Sequence, residues 1–560
     1  MGTTYHVIAH KMASSGEEQK QDAARIVEEE TELGEKSAEK DPGTVHYESI
    51  SAVGAAGTEK GELVARCNNG YVPDDEAAEQ PITNGTPPPQ YDEDIKADSP
   101  PTYQEPRPAK KQPGILDTML VGFSCIHNGA KILNTEQAKG SLSALNGIRV
   151  LSMWWVILGH SYYFMLGYYD NIRYVLYEWS YSFLFSAVVN ASVAVDTFFF
   201  LSGLLVSYLT LKQLKKGKGR LNWGLFYLHR FVRITPAYMV CIGIWASLAI
   251  HFGTGTDKVN LFEGSAYFCR EYWWTNILYI NNLYPFPGDT AEQCLGWSWY
   301  LANDMQFYII SPFIVYLLYK NAKWGMGLIL TLCFASFGVT AYLSAYYGSP
   351  VGLLPAYNNR TLVEFGKETA DVIYGKPYCR IPAYLVGVIF GYIFYKVNGR
   401  PVKINKAVNL LLWFLSTAVA LAIVYGPYRR EGGTMPQYAA VLYTVFSRPA
   451  FVMAVGWVAF ACTMGYGGPV NALLSWGFWA PLSRITFGAY LVHPITMYSV
   501  FTSANTLYHF TWMESACLFI AHMVIAYAAA FLLSIGVEGP IMGLEKALLG
   551  GRGGARTKKK

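Results

Sequence analysis

From residue 114 onward the chain alternates long apolar runs with short polar segments. The first run, SLSALNGIRVLSMWWVILGHSYYFML at 141–166, sets the pattern. Ten stretches of this character predict membrane-spanning helices: 148–167, 188–211, 232–252, 298–319, 325–346, 381–396, 408–425, 447–464, 484–503 and 516–537. Each approaches the ~20 apolar residues a helix needs to cross a bilayer, and 381–396 and 408–425 are short. Ahead of them, ILDTMLVGFSCIHNGAKIL at 115–133 has apolar residues at helical spacing but is too broken to span. It predicts an amphipathic helix lying at the membrane face, within an interfacial segment 114–140. The pattern defines an all-α polytopic membrane protein of about ten transmembrane helices, its membrane domain covering 141–540.

Composition adds a second region. Residues 1–113 hold 22 Asp and Glu against 11 Lys and Arg and are rich in Glu, Pro, Gly and Ser. A chain this polar buries too little apolar surface to offset its ordering entropy, so a disordered tail is expected. The remaining 447 residues hold 18 acidic and 33 basic residues, a net of about +15. The overall charge of +4 conceals this split and points to no nucleic-acid partner. Within the tail, Pro88-Pro89-Gln90-Tyr91 and Pro100-Pro101-Thr102-Tyr103 both fit Pro-Pro-x-Tyr. Such segments pre-form the polyproline II helix that WW domains bind, and a WW-domain ubiquitin ligase is the partner they suggest. Two copies allow bivalent docking; a Pro-rich linker with chance tyrosines is the plainer reading. The first residues show neither the long apolar run of a signal peptide nor, with His6, the Ser or Thr of a myristoylation signal.

Loop charge sets an orientation. Lys212, Lys215, Lys216, Lys218, Arg220, Arg230 and Arg233 precede the third span, Lys396, Arg400, Lys403 and Lys406 the seventh, and a basic tail, 541–560, closes the chain. Positive loops stay cytosolic, so both termini are expected there, in the plasma membrane or the endoplasmic reticulum. Arg429 and Arg430 run against this scheme. Loops 253–296 and 348–379 then face outward, with the sequon Asn359-Arg360-Thr361 and a predicted Cys269–Cys294 bridge. Trp273, Trp274, Trp297 and Trp299 read as an interfacial belt. The nine cysteines lack metal-ligand spacing, and no metal site is expected.

Polar residues inside spans carry the candidate chemistry. They are His160, Asp196, Asn303, Asp304, Gln306 and His493, with Arg149, Arg230, Arg233 and Arg380 at span starts. A histidine and an aspartate on separate helices either satisfy each other structurally or form a base and its orienting acid. Arg230 and Arg233 are either ordinary cytosolic flanking charges or, sharing one helix face, a grip for phosphate groups.

Several of these residues sit in ordered motifs: Arg149 with His160, VAVDTFFFLSGLL at 193–205, FYLHRFVRITPAY at 226–238, WYLANDMQFYI at 299–309, RIPAYLVGVIFGY at 380–392 and TFGAYLVHP at 486–494. In them the chain resembles the integral-membrane acyltransferase 3 family, specifically its animal nose-resistant-to-fluoxetine-like branch. The resemblance covers about 123–538. It implies acyl transfer from cytosolic acyl-CoA, a co-substrate rather than a bound cofactor, to a hydroxyl acceptor. It implies His160 as general base, in the company of Asp196, Asp304 and His493, with Arg149, Arg230 and Arg233 holding the donor's phosphates and Arg380 alongside them. Asp304 stands where bacterial members carry glutamate. A lipid or small-molecule transporter of the same fold is the alternative, and membrane lipids are expected partners under either.

Overall fold

The computed structural model describes residues 114–137, 142–255, 258–285, 293–348, 351, 370–400, 402–428 and 435–549. Both Pro-Pro-x-Tyr motifs, the sequon, Arg429, Arg430 and the terminal basic residues lie outside them. Helices are the regular structure of the described residues, which contain no strand.

Two short helices lead in, α1 (Ile115–Gly122) and α2 (Cys125–Leu133). The Ser124 side chain caps α2 by accepting from the His127 backbone N–H. The body then runs through α3 (Ala144–Met165), α4 (Ile172–Tyr181), α5 (Val193–Lys216), α6 (Trp223–Leu248), α7 (Lys258–Ile277), α8 (Trp299–Lys320), α9 (Ala322–Tyr346), α10 (Pro377–Val397), α11 (Lys406–Tyr425), α12 (Gln437–Thr463), α13 (Trp479–Phe501), α14 (Trp512–Leu533) and α15 (Gly539–Leu549). Each of the ten expected spans falls on its own long helix. Eight helical segments are long and apolar enough to cross a membrane among the described residues, and the protein is a multi-pass membrane protein. α3 and α13 are not among those eight, although they run to 22 and 23 residues. These two carry the histidines, and they pack in the interior against each other.

Several expectations change. The stretch 115–133, read as one amphipathic helix, is the pair α1 and α2, and Trp297 and Trp299, read as part of an interfacial belt, are buried. The span read as 381–396 begins at Pro377, because proline's fixed φ and missing N–H suit the first helical turn. The stretch 258–277, read as loop, is the helix α7; its interspersed Glu263, Arg270 and Glu271 hide the periodicity.

The tightest helix pair is α5 with α10. A Cβ at Gly203, Gly387 or Gly391 would collide with the backbone of Tyr384, Phe200 or Leu204. Gly387 and Gly391 form a Gly-x-x-x-Gly face, which lets two backbones approach where lipid gives little hydrophobic drive. α3 lies against α5, α13 and α14, while α11 stays peripheral with Leu410, Leu411 and Phe414 exposed. α15 returns to pack on α1.

Directly after α7 the chain dips into the core. Asn281 and Asn282 are buried there, and Asn282 Nδ2 donates to Asn303 Oδ1 at 2.9 Å. Gln306 Nε2 donates to the Tyr279 carbonyl at 2.8 Å, and Lys376 Nζ to the Asn282 carbonyl at 2.6 Å. The polar residues Asn303 and Gln306 of α8 therefore serve this segment. The expected Cys269–Cys294 disulfide is present and ties α7 to the approach to α8.

Candidate active site

α3 carries Arg149 near its start and His160 eleven residues later, about 16 Å along the axis at ~1.5 Å per residue. His160 Nδ1 meets His493 Nε2 of α13 at 2.8 Å, with the two rings almost parallel, 5.0 Å between centroids. Phe164 stacks on His160 as well.

Residue order on α13 settles which nitrogens carry protons. His493 Nδ1 lies 2.9 Å from the Tyr490 carbonyl and 3.1 Å from that of Ala489. Carbonyls only accept, so Nδ1 of His493 is the protonated nitrogen. The Tyr490 carbonyl is free to accept because its usual helical partner, four residues on, is Pro494, which has no N–H. His493 then presents a bare Nε2, so His160 donates to it through Nδ1–H. The Nε2 of His160 is left with its lone pair uncommitted. His493 is wholly buried, whereas His160 forms part of the wall of a cavity.

The carboxylates lie elsewhere. Asp196 Oδ2 accepts from Arg380 Nη1 at 2.8 Å, with Arg448 Nε at 3.8 Å. Asp196 and Arg380 are completely buried, and Arg380 is further held by the Tyr374 carbonyl at 2.7 Å and the rings of Trp299 and Tyr374. This corrects the expectation of Asp196 as the acid that orients the base: His493 has that position. It also removes Arg380 from the phosphate-binding set, since its guanidinium is enclosed. Asp304, likewise, is bound to Arg230 rather than to either histidine. Arg230 lies over the Tyr308 ring at 4.7 Å.

Arg149 Nη1 donates to Ser483 Oγ at 2.9 Å, and Arg233 is exposed and close enough to act on Arg149's charge. Arg149, Arg230 and Arg233 thus gather at one end of α3. Tyr300 lies within electrostatic reach of Arg149, Arg230 and Asp304, and its ring packs on Tyr490 at 5.3 Å, one turn before His493. Arg448, Ser483, Tyr300 and Tyr490 were not singled out from sequence. Arg448 alone had a visible signal, as a charge one residue inside the span 447–464. Among the described residues no cluster of His, Cys, Asp or Glu is arranged to hold a metal.

A histidine pair with one member buried and the other at a cavity wall, on a helix whose opposite end carries arginine, marks a polar site inside a bundle of membrane helices. The acyltransferase 3 model, described as an acyltransferase domain, matches residues 142–535, and the chain belongs to that family. Within it the chain falls in the nose-resistant-to-fluoxetine-like branch: it is 33% identical over 450 residues to Nose resistant to fluoxetine protein 6 of Caenorhabditis elegans, covering 77% of this chain and 54% of that protein. The chain thus spans about half the length of that relative. It is 25% identical over 443 residues to Regulator of hypoxia-inducible factor 1 of the same organism, covering 75% of this chain and 83% of the relative. A Staphylococcus aureus protein provisionally named an O-acetyltransferase is 24% identical over 245 residues, 42% of this chain and 35% of that one. No solved structure matches the chain.

Proposed function

We propose that the protein is a membrane-embedded O-acyltransferase with acyl-CoA as donor and His160 as general base. The observation that carries this reading is the proton order of the histidine pair, which leaves His160 Nε2 as an acceptor at a cavity wall. The acceptor's hydroxyl oxygen attacks the thioester carbonyl while its proton passes to His160 Nε2. His493 Nε2 holds the ring in place through His160 Nδ1–H and bears part of the charge that develops on it. The new O–C bond forms, the C–S bond breaks, and the proton on His160 goes to the departing thiolate. Arg149, Arg230 and Arg233 bind the donor's phosphates, Arg230 being aligned for this by Asp304. The family match and the O-acetyltransferase name of a distant relative support the chemistry.

In this reading the arginine end of the bundle faces the cytosol, and the segment with the disulfide faces an oxidising compartment. Purified protein given labelled acyl-CoA and a mixed acceptor extract tests the mechanism. Transfer is expected from wild type and not from His160→Ala. Equal rates would remove His160 from the chemistry, and flux of a small molecule that survives the substitution would favour a carrier instead.

A further inference from the structure

We propose that the cavity beside His160 is the acceptor site and that the acceptor is an uncharged, membrane-soluble alcohol. This rests on the acyl-transfer reading above and names its substrate class.

Position comes first. The cavity is built from the C-terminal half of α3 past Val156, from α4, from the segment 185–192 and from the start of α5. It therefore lies toward the end of α3 opposite to Arg149. Donor phosphates at the arginines and an acceptor in the cavity approach His160 from opposite ends of the helix.

The walls set the chemistry. None of the lining residues is Asp, Glu, Lys, Arg, Asn or Gln. Val188, Phe185 and their aliphatic neighbours make most of the surface, with hydroxyls from Tyr162, Tyr163, Ser192 and Tyr374. A sugar carries a hydroxyl on almost every carbon, and burying it here would leave most of them without carboxylate or amide partners. An alcohol with one reactive hydroxyl on an apolar body needs much less: a base and one further hydrogen bond. His160 Nε2 is the base. The second group we assign to Trp179, whose side chain lines the cavity and whose buried Nε1–H, a donor only, has no partner among the described residues. Immediately before Phe185, Phe183 and Leu184 are exposed, so the route in is apolar too.

The step balances as before: the alcohol O–H gives its proton to His160 Nε2, its oxygen takes the acyl carbon from the thioester sulfur, and the thiolate leaves with that proton.

A diazirine-bearing long-chain alcohol, photolysed with the full chain in lipid nanodiscs and mapped by mass spectrometry, tests the site without needing turnover. It should label residues between 179 and 195 in both wild type and His160→Ala. Excess unlabelled alcohol should displace it and hexoses should not. Val188→Trp, which fills the cavity, should cut labelling at least tenfold while acyl-CoA binding and unfolding temperature hold. Trp179→Phe should weaken displacement by the alcohol about fivefold, as loss of a single hydrogen bond does. Unlabelled 179–195 in folded protein, labelling untouched by Val188→Trp, or displacement by a hexose would overturn the proposal. Labelling at this site with no acyl transfer to any acceptor would overturn the acyl-transfer reading and leave the ligand class standing. Transfer to a hexose without labelling would do the reverse.

Discussion

Two of the polar clusters inside the bundle share a wall and differ in kind. Asp196, Arg380 and Arg448 are charged, enclosed, and joined mostly to one another. His160 and His493 are linked in a neutral chain that begins at the Tyr490 carbonyl and ends on a nitrogen at a cavity. Tyr374 touches both, covering the Arg380 guanidinium at 4.7 Å while lining the cavity. Ionised groups in an apolar interior are tolerable only when paired, so they are shut in together and hold helices in register. A neutral imidazole costs far less to bury, so it is the group that can be left with an open side. Charge alone was therefore a poor guide to chemistry here; position at a cavity was the better one.

Substitutions can break or sharpen this contrast. The largest effect is expected from Arg380→Ala, which leaves the Asp196 carboxylate buried with only Arg448, 3.8 Å away. A loss of about 3–5 kcal/mol is expected, read as collapse of the unfolding transition of detergent-solubilised protein, with partial recovery in the Arg380→Ala, Asp196→Ala double variant. His160→Ala should leave that transition in place and lower acyl transfer about 10²–10⁴-fold, the usual share of a general base. Wild-type unfolding in Arg380→Ala, or wild-type turnover in His160→Ala, would erase the distinction. Pro494→Ala is a finer probe. It supplies a backbone N–H that competes with His493 for the Tyr490 carbonyl, so kcat should fall roughly tenfold with no loss of thermal stability. A variant as active as wild type would show that proline plays no part in fixing the His493 proton. The smallest effect is expected from Arg233→Ala: exposed charges act weakly, so the KM for acyl-CoA should rise about threefold, and less as salt increases.

The span pattern was legible because a bilayer imposes one length on every helix that crosses it. The extra helix α7 was not, since charges interrupt its apolar positions and no bilayer rule applies to it. Arg149 and His160 could be placed relative to each other from spacing alone. The partner of His160 could not, because 333 residues separate it from His493 and only the packing of α3 against α13 brings them together. A carboxylate was the expected orienting group, being the usual companion of a catalytic histidine. What sequence could not show was that Arg380 and Arg448 already claim Asp196. The dipeptide His493-Pro494 was in plain view, yet its meaning depends on which way the imidazole turns, and that is a property of the folded helix.

The dipping segment after α7 has a consequence for biosynthesis. Its asparagines complete the packing around α8, and a disulfide pins it in place. In the proposed orientation, such a core is finished only after the ribosome has passed the segment across the membrane into a compartment where thiols oxidise. The choice of expression host then matters as much as the choice of detergent: cells that insert the helices but keep that compartment reducing should yield protein that is full-length, membrane-bound and incompletely folded around the polar end of α8.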